Sequence, residues 1–281
     1  MSTKIITVTN NKGGVGKTAL SVNLAFELSK KNDVLVLDLD PQRNATLAIV
    51  ESLHDEKNIA EAFLKGEKVR KYTLNSRYKN IDIVHGSKKL SKYEQDFKGT
   101  IKGFKLVKNF LNDSFIEKYD YIIIDTSPGI QNLYTQSALL ASHHYLIPIF
   151  PTGNTIFGLS DIISDIESHI RIENSNLYFL GFVMTKFNKF SATHKYFVKE
   201  IRDLAKELKA HLFQSFIPMS AAIEAAETIR KPISEYMPHN TSSKAYKKLC
   251  REILGELKKY ESLSKKQKNK SNHYESDEFE I

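Results

Sequence analysis

Asn11-Lys12-Gly13-Gly14-Val15-Gly16-Lys17-Thr18 follows an apolar run holding Ile5, Ile6 and Val8 and precedes a stretch of helical periodicity. A strand, a glycine-rich loop and a helix start in that order constrain the fold more than anything else in the chain, because together they cradle phosphate groups. The glycines let backbone N–H groups approach phosphate oxygens. Lys17 then places a point charge at the β/γ-phosphates, and the Thr18 hydroxyl is the expected Mg²⁺ ligand. Asn11 stands where the standard motif has its first glycine, and a second lysine, Lys12, lies inside the loop. The loop is therefore a deviant form, with Ala19 opening the helix behind it.

Apolar runs recur at 4–9, 34–38, 81–85, 121–125, 145–150, 177–185 and 212–217. Several are unbroken Val/Ile/Leu/Tyr/Phe stretches without alternation, as expected for parallel strands covered on both faces. Amphipathic segments fall between them, among them 19–30, 104–117, 159–171 and 196–210. This alternation predicts an α/β fold: a doubly wound, mostly parallel sheet flanked by helices, with ligands beyond the carboxyl ends of the strands. A last helix over 246–263 carries Tyr246, Leu249, Cys250, Ile253, Leu254 and Leu257 on one face, which reads as a face docked on the core.

A chain of 281 residues suffices for one large domain. The expected organisation is a single P-loop domain over 1–257, in which the lysine-rich stretch 51–118 makes a helical excursion over one sheet edge. Residues 258–281 follow as a charged, disordered tail, because 258–270 hold six lysines and one glutamate and the charges after Ser271 are all acidic. No apolar run approaches a membrane-spanning length of about 20 residues, and the chain enters its first strand without a signal-peptide pattern. Both point to the cytoplasm. The lone Cys250 excludes a disulfide framework, a CxxC redox pair and a cysteine-held cluster. A net charge of +8 is compatible with nucleic acid but does not demand it.

An ATPase needs carboxylates at the same sheet edge as its phosphate loop. Two strands end in them: Val34-Leu-Val-Leu-Asp38-Leu-Asp40-Pro41-Gln42, and Tyr121-Ile-Ile-Ile-Asp125-Thr-Ser-Pro128-Gly129. Asp38 and Asp40, two residues apart, face the same side of an extended strand. One can hold metal-bound water while the other reaches an attacking water. Asp125 fits the Mg²⁺ anchor common to P-loop enzymes.

At these residues the chain resembles the deviant-loop ATPases of the ParA type, which partition plasmids and chromosomes. The resemblance rests on Lys12–Thr18, on Asp38-Leu-Asp-Pro-Gln42 with Asn44 and Thr46, and on Ile122–Asp125 with Pro128. It continues at 181–188, Ile217-Pro218, Lys231-Pro232-Ile233, Tyr236 and Ala245–Leu249, so it covers most of residues 3–257. It implies a homodimer that ATP closes face to face, with Lys12 of each subunit reaching phosphates held by the other. It further implies that Asn11 to Ala19 hold ATP, and that Thr18 binds Mg²⁺ directly and Asp125 binds it through water. Asp40 would orient the hydrolytic water, and Asp38 would support both water and metal. Residues 125–129 would sense the γ-phosphate, and Pro218 and Met219 would lie near adenine. The ATP-bound dimer of this family binds DNA without sequence preference on the nucleoid, and a ParB-type centromere-binding partner stimulates hydrolysis.

The pattern departs where the family often carries arginine: those places hold Met219 and Phe190, and Ser127 replaces a proline. Lys186, Lys189, Lys195, Lys199, Arg202, Arg230, Lys231, Lys244, Lys247 and Lys248 are the candidates for a substitute DNA face, since phosphate contacts tolerate relocation. Other branches remain as alternatives. A membrane-surface ATPase needs a basic amphipathic anchor, whereas this tail is polar and ends in acids. The single cysteine excludes a nitrogenase iron-protein role, and an amide-forming synthetase needs an acceptor pocket. A protein cluster could replace a plasmid or chromosome as cargo.

Overall fold

The computed structural model describes residues 2–152, 155–208 and 210–276. Seven strands form one sheet: β1 (Lys4–Val8), β2 (Val34–Leu39), β3 (Thr73–Asn75), β4 (Ile81–Val84), β5 (Tyr121–Thr126), β6 (His144–Ile149) and β7 (Tyr178–Met184). Their order is β3-β4-β2-β5-β1-β6-β7, and every pairing is parallel except the short β3–β4 edge. Every residue of β2, β5 and β6 is buried, which is why these stretches lack alternation.

Successive residues of each strand feed opposite faces. On one face Ile6, Val8, Val34 and Val36 pack under α1 (Lys17–Leu28), α2 (Asn44–Ile49) and α12 (Thr241–Ser276). On the other, Ile5, Leu35, Leu37, Ile122 and Ile124 meet α3 (Ile59–Lys65), α4 (Lys89–Phe97), α6 (Leu106–Leu111) and α7 (Leu133–Ala141). Toward the β7 edge the same face receives α8 (Thr155–Asp165) and α9 (Ala192–Glu207). The remaining helices are short: α5 (Ile101–Phe104), α10 (Ala221–Thr228) and α11 (Ile233–Tyr236). The sheet therefore sits between two helical layers, with its strand carboxyl ends along one edge.

Six of the seven expected strands are present. The seventh, 212–217, is an irregular segment beside β7: Leu212 bridges to Phe182, and Ile217 N–H donates to Met184 O at 2.8 Å. Between them the Gln214 and Ser215 N–H groups turn to the Glu252 carboxylate on α12, at 2.8 and 3.3 Å, so no ladder forms. The excursion 51–118 also adds the antiparallel β3, which a three-residue run does not announce. The helix expected over 104–117 breaks at Lys105 and again at Asn112-Asp113, where the Asp113 side chain caps a 3₁₀ turn by accepting the Phe115 N–H at 3.0 Å.

The C-terminal stretch differs most from expectation. α12 runs 36 residues to Ser276, so 258–276 is helical where a disordered tail was expected; 277–281 lie outside the described residues. Docking of Tyr246, Leu249, Cys250, Ile253 and Leu257 nucleates the helix. Further on, Tyr260 lies 4.4 Å from the Tyr178 ring and 5.1 Å from His144, and Glu261 pairs with Lys4 at 2.7 Å. Beyond Gly255 no glycine or proline interrupts the stretch, and once a helix is nucleated its propagation is cheap.

Candidate active site

The phosphate loop joins β1 to α1. Gly14 and Gly16 have φ of +71° and +84°, left-handed conformations that side chains resist, and Gly16 caps α1 directly. Loop side chains fix its shape from within. Asn10 Oδ1 accepts the Lys12 N–H at 2.9 Å, and Lys17 Nζ donates to Lys12 O at 2.9 Å. The Thr185 hydroxyl reaches Val15 O at 2.7 Å from the end of β7. Asn11, which stands where the standard motif has its first glycine, accepts the Ile130 N–H at 2.6 Å and so ties the loop to the segment after β5. The Lys17 amine is buried, which lowers its pKa, while Asp125 and Asp40 oppose that shift.

Asp125 ends β5 beneath the loop and is fully buried. The Thr18 hydroxyl donates to it at 2.7 Å and the Ser21 hydroxyl at 2.8 Å. Burial, followed by the charge of Asp38, raises its pKa. A desolvated carboxylate beside a loop hydroxyl is a hard-oxygen donor set suited to Mg²⁺. Among the described residues no group of three His, Cys, Asp or Glu side chains could hold a metal alone, so phosphate oxygens would complete such a site. Ser21, one turn after Thr18 on α1, is a member that the motif does not reveal.

Asp38 has a different place. It is fully buried, its Oδ1 accepts the Asp40 N–H at 3.0 Å, and its Oδ2 accepts both the N–H and the hydroxyl of Thr46 at 2.8 and 2.7 Å. The Thr46 hydroxyl in turn accepts the Gly86 N–H at 2.9 Å. A Cβ at position 86 would come within 2.8 Å of Asp38 Cγ, so glycine is required there. β2 ends at Leu39, so Asp40 lies in the turn that follows the strand while Asp38 lies within it. Asp38 holds the 40–46 turn rather than opening to metal or water, whereas Asp40 lines the cavity above the loop.

That cavity, about 440 Å³, is walled by Gly14, Gly16, Lys17, Thr18 and Ala19 at one end. Val22 and Asn23 of α1 and Asn44, Leu47 and Ala48 of α2 form its sides, with Pro128 over the loop. Lys186, Glu227, Arg230 and Lys231 complete its lining. Pro218 and Met219 are not among its walls: their backbone pairs with Phe187, and the Met219 side chain is half exposed. Asn11, Lys12, Gly13 and Val15 are also absent from it. Lys12 lies on the other side of the loop, in a small recess with Gly158, Leu159 and Ile162 of α8.

The basic residues do not form one face. Lys186, held at φ +50°, belongs to the cavity, as do Arg230 and Lys231. Lys195, Lys199 and Arg202 are exposed on α9 at helical spacing, and Lys189 lies beside them with its amine 5.0 Å over the Phe190 ring. Lys244, Lys247 and Lys248 stand on the first turns of α12, across the sheet from α9. Among the described residues no helix is long and apolar enough to cross a membrane.

The AAA domain family matches residues 3–179. An uncharacterized protein of Methanocaldococcus jannaschii is 30% identical over 263 residues, covering 90% of this chain and 99% of that protein. The sporulation initiation inhibitor protein Soj of Bacillus subtilis is 29% identical over 252 residues, covering 89% and 98%. Among solved structures, a putative plasmid partition protein from Borrelia burgdorferi bound to AMPPNP superposes with a TM-score of 0.71 at 26% identity. The superposition covers 92% of this chain and all of that one.

Proposed function

The chain belongs to the AAA domain family as a P-loop ATPase of the ParA/MinD type, and from that premise we propose that it is an ATP-timed DNA-partitioning switch. One ATPase domain over 1–257 would carry the chemistry, with 258–281 appended to it. ATP would occupy the cavity with its phosphates on Gly14 to Thr18 and its base toward Lys231. Thr18 and Asp125 would hold Mg²⁺, which when bound neutralises charge on the phosphates. Lys17, its amine steered by Lys12 O, would meet the β/γ-phosphates. Asp40, the one carboxylate of the three that reaches the cavity, would orient the attacking water, and Asp38 would keep its turn in place.

The observation that carries this reading is the position of Lys12. The cavity already has its phosphate lysine in Lys17, while Lys12 lies across the loop against α8. A second loop lysine that lines a separate recess and not its own cavity suits action on a nucleotide held by another copy. Two such copies facing each other make a symmetric closed pair. Residues 125–130, tied to the loop through Asn11, would then relax after hydrolysis and release the pair.

In the closed pair, the lysine rows of α9 and α12 from both subunits would engage DNA through its phosphates, on the nucleoid in the cytoplasm. The name of the Borrelia burgdorferi relative, a putative plasmid partition protein, supports a role in partition; a ParB-type partner would be the stimulator. The test is binding to DNA of arbitrary sequence. With ATP present, affinity should fall at least about 100-fold from 50 to 200 mM salt, and without ATP it should be lost. Indifference of an ATP-bound dimer to DNA at low salt would remove the partition role and leave the ATPase.

A further inference from the structure

Arg77 precedes β4 and is absent from every motif in the chain, yet it joins the two walls of the nucleotide cavity. Its Nη2 donates to Ala48 O on α2 at 2.8 Å and also to Arg230 O on the opposite wall. Its backbone N–H donates to Ile49 O at 3.2 Å, so the same residue grips the end of α2 twice. Arg230 is held at φ +59°, a left-handed conformation that a non-glycine residue keeps only when its surroundings enforce it. The guanidinium also lies 5.3 Å over the Tyr78 ring, and the Tyr78 hydroxyl donates to Glu235, which pairs with Lys231 at 2.9 Å. Ala48, Arg230 and Lys231 all line the cavity, and the Ile233 N–H donates to Asn23 Oδ1 at 2.9 Å, which seats this turn beside the second turn of α1, six residues past Lys17.

We propose that Arg77 is a positioning residue for the nucleoside end of the ATP cavity. It spans the gap between α2 and the 230–231 turn, so both walls stay at the separation that encloses base and sugar. The phosphate loop takes no support from it. Its contribution is therefore to the nucleoside part of affinity and not to the triphosphate part. The inference rests on the reading that this cavity holds ATP.

Titration calorimetry with Mg²⁺ and either ATP or inorganic tripolyphosphate separates the two parts. For Arg77→Ala, ATP affinity should fall about tenfold, the worth of one charged hydrogen bond, while tripolyphosphate affinity should stay within about twofold. Arg77→Lys keeps the charge but not the planar fork and should fall between, about threefold for ATP; it carries the same comparison if the alanine variant does not fold. Equal losses for both ligands, or unchanged ATP affinity, would overturn the assignment of Arg77 while leaving the cavity as the ATP site. Failure of the wild-type chain to bind either ligand would overturn the cavity reading and the inference with it.

Discussion

At the scale of single residues, the site is built from groups that would be costly to bury alone. Lys17 and Asp125 are both buried, Lys17 held by the Lys12 carbonyl oxygen and Asp125 by the Thr18 hydroxyl. Lys17→Ala removes the phosphate-loop lysine that lines the cavity, so ATP affinity should drop on the order of 100-fold in a nucleotide-binding titration. Asp40→Ala should keep ATP affinity but slow turnover about 100-fold, the usual worth of a lost proton acceptor, in a single-turnover assay. Normal turnover in that variant would take Asp40 out of its role. Lys17, Thr18 and Asp125 were legible because a glycine loop and strand-end acids are local patterns. The tie of Asn11 to Ile130, and the parts of Ser21 and Arg77, were not. Asn11 matters through Ile130 and Arg77 through Arg230, 119 and 153 residues away, and no local spacing encodes such pairs. The hold of Asp38 on Thr46, eight residues on, was not legible either, because an ideal strand shows only its place beside Asp40.

At the scale of elements, the parallel strands were readable from their unbroken apolar runs, and the segment 212–217 was not a strand although it reads like one. Its N–H groups are taken by Glu252 of α12, a tertiary competitor that composition cannot show. The floor of the sheet carries a pH consequence. His144, at the start of β6, is buried against Tyr178 and Tyr260 with its Nδ1 unpartnered among the described residues, and burial drives its pKa down to about 3. The unfolded imidazole takes a proton near pH 6.5 and the folded one does not. Stability from this group is thus complete above about 6.5 and drains away as pH falls toward 3. Urea unfolding should therefore show wild type losing about 2 kcal/mol from this group between pH 7.5 and pH 5. His144→Phe should lose correspondingly less over that interval. Identical pH slopes would mean that α12 docks over some other floor.

At the scale of the whole molecule, the strand carboxyl ends gather loop, carboxylates and cavity at one edge, while the docked end of α12 ties Tyr260 and Glu261 to β7 and β1 at the opposite edge. The fold class was legible from strand–helix alternation alone. The distribution of positive charge was not, because α9 and α12 lie on opposite sheet faces and only three-dimensional placement separates their lysines. The proposed closed pair would turn two incomplete phosphate sites into complete ones, each with Lys17 from one copy and Lys12 from the other. The most direct measurement is a crystal structure of Asp40→Ala grown with ATP and Mg²⁺. It should show two chains related by a two-fold axis, with the Lys12 amine of each within hydrogen-bond reach of the triphosphate held by its mate. Isolated chains bearing ATP, or a pair in which Lys12 still rests against α8 of its own subunit, would contradict it.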